Sequence, residues 1–142
     1  MKNKKSRKQT RVYVLEVLYQ WLHTQTEIGE ILKRYETKYG VDQIYLENMA
    51  QGALSKKAEI DQKIIPNLED RSLEEVSQIE YAILLLGGYE LMYQYDVPYR
   101  VVINECVELA KVFGATESHK YINGVLDKLA PALRTAEYGR RA

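Results

Sequence analysis

A chain of 142 residues, 46% of them apolar and 28% charged, has the length of one domain and the composition of a globular one, which excludes a disordered polymer. No stretch approaches the roughly 18 apolar residues of a membrane span, and no apolar segment follows the basic start, so neither a membrane helix nor a signal peptide is expected and the cytoplasm is the predicted compartment. A single cysteine, Cys106, excludes an intramolecular disulfide, and with only His23 and His119 beside it a four-ligand zinc site would need carboxylates from scattered places, so no metal or cofactor is expected.

The even balance of 20 basic and 20 acidic residues hides an asymmetry. Residues 1–11 carry Lys2, Lys4, Lys5, Arg7, Lys8 and Arg11 and no acid, a charge of +6 that leaves −6 on the remainder. A basic arm over 1–11 therefore precedes an acidic body over 12–135, with a flexible tail expected over 136–142.

In chain order, Val12, Leu15, Leu18, Tyr19 and Leu22 recur at helical spacing with Trp21 on the flank, predicting a first helix that begins near Arg7. Ile28, Ile31, Leu32 and Tyr35 predict a second, capped by Thr26 and ended by Gly40. Asp42 caps a pattern that runs from Ile44, Tyr45 and Met49 through Ala58, Ile60 and Ile64 to Pro66, as one bent helix or two short ones. Ser72 with Glu75 matches a capping box, predicting a central helix from there through Ile79, Ile83, Leu84 and Leu86 to Leu91. Its middle is apolar around most of the circumference, as in a helix surrounded by others, and Gly87-Gly88 inside it predicts a close crossing or a kink. After Pro98, the residues Val102, Ile103, Cys106, Leu109 and Phe113 predict a helix ending at Gly114, and Tyr121 to Leu129 a last one beginning near Thr116. Helical periodicity runs through Asn123-Gly124, which is therefore read as a close-packed helix site and not as a hairpin turn. From Arg134 onward the chain is expected to fray.

Catalytic arrangements are weak. Glu105 and Glu108 share a helix face as solvated carboxylates do, Cys106 falls on an apolar face, and Ser118 beside His119 lacks a nucleophile elbow. The protein is expected not to be an enzyme. The basic arm carries more information: Arg7, Lys8 and Arg11 recur at near-helical spacing, a stripe suited to phosphates, and Lys2, Lys4 and Lys5 add to it. Twelve tyrosines against one phenylalanine offer rings that can stack on unpaired bases, although most are expected to pack in the core.

The last two helices become specific. Asp96-Val97-Pro98-Tyr99, Ile103-Asn104-Glu105, Glu108-Leu109-Ala110-Lys111, Phe113-Gly114 and the run from Ser118 through His119-Lys120-Tyr121-Ile122-Asn123-Gly124 to Asp127 resemble the C-terminal signature of the NusB transcription antitermination family. The resemblance extends to Val17-Leu18-Tyr19, Gln78-Ile79-Glu80 and Tyr89-Glu90-Leu91, and so covers nearly the whole chain. It implies an all-α single domain of about seven helices in two packed bundles. It also implies a factor that binds the single-stranded boxA element of nascent ribosomal RNA together with ribosomal protein NusE, within the RNA polymerase antitermination complex with other Nus factors. By carry-over, RNA would meet Arg7, Lys8 and Arg11, Tyr19, and Glu117, Ser118, His119, Lys120 and Tyr121; NusE would meet Tyr19 and Glu80. The alternatives are a module of the kind fused to ribosomal RNA methyltransferases and a helical homodimer.

Overall fold

The computed structural model describes residues 4–139, with backbone alone at 4–6 and 138–139, and its described residues form eight α-helices and no strand. They are α1 (Lys4–Thr24), α2 (Ile28–Lys33), α3 (Gln43–Ser55), α4 (Lys57–Ile64), α5 (Gln78–Tyr93), α6 (Tyr99–Phe113), α7 (Ser118–Leu133) and the five-residue α8 (Thr135–Gly139). Short 3₁₀ turns at Ile65–Asn67 and Leu73–Glu75 lie between α4 and α5. Among the described residues no helix is long and apolar enough to cross a membrane.

The organising element is α5. Every residue from Ala82 to Gly88 is buried, so no face of its middle is left for water, and the helix packs on α1, α3, α4, α6 and α7. It thereby joins a first bundle, α1 to α3, to a second made with α6 and α7. The glycine pair permits this contact. A Cβ on Gly87 would stand 2.8 Å from Cys106 Sγ on α6, and one on Gly88 would stand 2.8 Å from Ile60 Cγ2 on α4, so the close crossing expected at this pair is present on both sides.

Several boundaries differ from the sequence expectation. The central helix starts at Gln78, not after Ser72. Ser72 does head a capping box, its N–H donating to Glu75 Oε1 at 2.8 Å, but the box holds only the 3₁₀ turn Leu73–Glu75. Val76 is then extended, and Ser77 opens α5 with a second box, accepting from the Glu80 N–H at 3.2 Å. At α2 the cap is Glu27, whose carboxylate accepts from the Gly29 and Glu30 N–H groups, in place of Thr26. The same helix stops at Lys33, where bonds to the third residue back tighten the chain into turns that carry Tyr35 inward; Gly40, at φ +75°, belongs to a later turn. The segment after Asp42 agrees with one of its two expected forms, two short helices, which break at Lys56.

The arm and the tail differ as well. α1 runs unbroken from Lys4 through position 11, so the basic stretch is the first part of a helix. Arg134 does not fray: it is 3% exposed and donates to the Leu91, Val97, Glu90 and Gln94 carbonyls at 2.7, 2.9, 3.0 and 3.0 Å.

Candidate nucleic-acid interface

The basic stretch divides by helical angle. Lys2 lies outside the described residues, and Lys4 and Lys5 are described by backbone alone. Arg7 and Arg11, one turn apart, face α3 and α5 respectively. The Arg7 guanidinium lies 3.9 Å from the centroid of the Tyr45 ring, a cation–π contact. Arg11 is 4% exposed and grips Glu90 with two bonds of 2.9 Å, while Tyr45 Oη donates to the same carboxylate at 2.9 Å. Burial works against the guanidinium's charge, but Glu90 outweighs it and holds the Arg11 pKa above its ordinary value. The exposed stripe expected of Arg7, Lys8 and Arg11 is therefore reduced at Arg11, whose Nε and Nη2 are held by Glu90 in the core. Lys8 turns the other way, to solvent and to α6, with Nζ 3.4 Å from Glu105.

The start of α7 divides in the same way. Glu117 and Lys120 are exposed and pair at 3.1 Å, an arrangement worth little in water and easily exchanged for another partner. Ser118 is buried: its Oγ donates to Glu80 Oε2 at 2.8 Å and accepts from the Ala115 N–H at 3.0 Å. Tyr121 is 9% exposed, its hydroxyl donates to the Leu68 carbonyl at 3.2 Å, and the Arg71 guanidinium covers its ring at 3.9 Å. In this structure both hydroxyls are engaged and Arg71 covers one face of the Tyr121 ring.

Glu80 is the hub of this second group. It is 6% exposed and accepts from Ser118 Oγ, from the Ser77 N–H at 3.2 Å and from Arg71 Nη1 at 3.2 Å, tying the starts of α5 and α7 to the segment before them. Arg71 escapes the sequence reading because it stands in the polar run Glu69-Asp70-Arg71-Ser72, which carries no periodic signal. Burial opposes the Glu80 charge, but the bonds from Ser118, Ser77 and Arg71 prevail and hold its pKa below the ordinary glutamate value. A depressed folded pKa gives a stabilisation that is complete above the unfolded value of about 4.3 and is lost as pH falls through the folded one. Urea melts are expected to show the wild type losing stability below about pH 4.3 more steeply than Glu80→Gln. Parallel acid limbs for the two proteins would contradict that assignment.

Two surface depressions flank this core. One, of about 360 Å³, is lined by Leu15, Glu16, Tyr19, Ile79 and Phe113. Tyr19 is 39% exposed and its ring lies parallel to His23, while Phe113 and Val112 beside it leave much of their apolar surface in water. The other is a groove of about 750 Å³ between α6 and α7, where His119 and Lys120 stand with Arg100, Asn104, Lys111 and Asn123. Among the described residues no three His, Cys, Asp or Glu side chains are grouped to hold a metal ion.

The profile of the NusB family matches residues 8–131. The chain belongs to the NusB family. It is 46% identical to the transcription antitermination protein NusB of Alcanivorax borkumensis over 139 residues, covering 96% of this chain and 92% of that protein. The Pseudomonas entomophila NusB is also 46% identical, over 92% of this chain and 80% of its own. Among solved structures, T. maritima NusB superposes with a TM-score of 0.83 at 28% identity, over 98% of this chain and 99% of that one. A crystal structure of the antitermination factors NusB and NusE in complex with dsRNA matches with a TM-score of 0.81 at 25% identity, over 92% and 99%. NusB proteins are binding factors and not enzymes.

Proposed function

We propose that this protein is a transcription antitermination factor that binds the boxA element of nascent ribosomal RNA jointly with ribosomal protein NusE, in the cytoplasm and within the polymerase complex formed with other Nus factors. The observation that carries this reading is the placement of an apolar depression at Tyr19 and Phe113, at one end of α6, beside a cationic groove along the same helix, on a fold shared with a NusB–NusE–dsRNA complex. The groove suits a polyanion; the depression suits a protein side chain. Arg7, Lys8, His119 and Lys120, with Glu117 as the counter-charge of Lys120, are the direct RNA contacts in this reading, and Tyr19 meets NusE. Arg11, Ser118 and Tyr121 act as positioning residues that set the α1 and α7 backbones, and Glu80 supports the NusE face from beneath.

The test is the affinity for a short boxA-like RNA and for a scrambled RNA of equal composition, with and without NusE, at physiological salt. Tighter binding to boxA, further increased by NusE, is the expected result. With about three phosphate contacts, the logarithm of affinity should fall with the logarithm of salt at a slope of about −2. Equal and weak binding to both RNAs, regardless of NusE, would overturn the reading.

A further inference from the structure

We propose that the groove between α6 and α7 is the track of a single RNA strand, with Arg100 and Lys111 as phosphate contacts at its two ends and Asn104 and Asn123 as base-reading groups between them. This rests on the RNA-binding reading above and extends it to four residues that the sequence did not mark as contacts.

The argument begins with register. Positions 100, 104, 107 and 111 recur at four, seven and eleven residues, which puts them on one face of α6 over about 16 Å of helix. All four line the groove, and His119, Lys120, Asn123 and Asp127 of α7 form the facing wall. The connection from α6 to α7 is short, so Lys111 lies at the end of the groove that holds His119 and Lys120, and Arg100 at the opposite end beside Asp127. Cations thus stand at both ends of the wall. Between them lie two carboxamides, each carrying two donors and an acceptor, and an apolar floor that includes Ile103 and Val107.

A chain of phosphates carrying flat, edge-polar bases matches that order of groups. Phosphates take the cations, base faces lie on the apolar floor, and the amides read base edges. A duplex fits less well, because its bases are already paired and stacked. Lys8 of α1 pairs with Glu105, the neighbour of Asn104, and so brings one more exchangeable cation to α6. The lysines are available for exchange: Lys111 pairs with Glu108 at 3.3 Å with both side chains about half exposed, and such pairs hold weakly.

Four surface variants test this: Arg100→Ala, Lys111→Ala, Asn104→Ala and Asn123→Ala, each checked for a wild-type melting curve. Affinity is measured for the boxA-like and scrambled RNAs across a salt series, and a boxA RNA carrying 4-thiouridine is photo-crosslinked to the full chain. The cation variants are expected to weaken both RNAs about tenfold and to reduce the salt slope by about 0.7 to 1 each. The asparagine variants are expected to narrow the preference for boxA while leaving the salt slope unchanged, and crosslinks should fall on α6 and α7. Wild-type affinity in all four variants, with Lys120→Ala weakened and crosslinks elsewhere, would overturn the track and leave the RNA reading standing. Absence of RNA binding by the wild type would overturn both. Loss of NusE binding with RNA binding intact would make the groove a protein site and overturn the track.

Discussion

Glu90→Ala is expected to lower the thermal unfolding midpoint by roughly 10–20 °C, the largest effect of any single substitution considered for this chain. Glu90 is fully buried and is the shared acceptor for Arg11 and Tyr45, so its removal strands a guanidinium and a hydroxyl in the core where α1, α3 and α5 meet. Breaking a buried pair from one side costs about 3–5 kcal/mol, because the surviving charge remains desolvated. Removing both members has a different sign of logic. The double change Arg11→Met with Glu90→Leu leaves no charge unpaired and should recover much of the loss. Circular-dichroism melts of the single and double variants decide the matter; a Glu90→Ala midpoint within 3 °C of the wild type would show that the network contributes little.

Arg134→Ala should be the next most damaging change, at about 2–5 kcal/mol. A guanidinium with five donors serves four carbonyls here and pairs with Glu137 besides. Two of those carbonyls, of Leu91 and Gln94, are among the acceptors that the C-terminal end of α5 leaves without intrahelical partners, the Glu90 carbonyl accepts from the Gln94 N–H as well, and the positive charge suits that end of the helix dipole. The Val97 carbonyl extends the same grip to the link into α6. Besides a lower melting midpoint, amide exchange should accelerate first over residues 90–98, before the rest of α5. Uniform exchange with an unchanged midpoint would mean that water replaces the side chain without cost.

Both residues show where sequence reasoning ends. The helices legible in the chain were those whose apolar pattern is local: α1, α6 and α7 from their spacing, and the middle of α5 from its lack of any polar face. Gly87-Gly88 was legible for the same reason, since a costly pair inside an apolar helix calls for a close neighbour. Boundaries failed where two signals competed. Ser72-Leu73-Glu74-Glu75 and Ser77-Gln78-Ile79-Glu80 both fit a capping box, and the helical pattern through Val76 concealed the extended residue that separates them. Charges were the harder case. Arg11, Glu80, Glu90 and Arg134 read as surface until their partners are known, and Arg11 lies 79 residues from Glu90. The groove is not legible for a related reason: its walls come from two helices whose facing residues are set by packing, so nothing local to the chain marks Arg100 and Asn104 as sharing a site with Asn123. The resemblance supplied the family and pointed to the start of α7, while the structure separated the side chains there that face water from those that hold the backbone in place.

The close crossing of α5 and α6 has a chemical corollary. Cys106 lies there fully buried beside Gly87, and burial pushes its thiol pKa well up. The thiolate is the form that reacts, so the sulfur lacks both charge and access while the two helices remain together. The chain therefore carries its own clock: alkylation of its one thiol records a moment when the core came apart, with no surface residue altered. The same enclosure keeps two folded molecules from coupling through a disulfide, so the natural sequence can be handled in air as a thiol-silent protein.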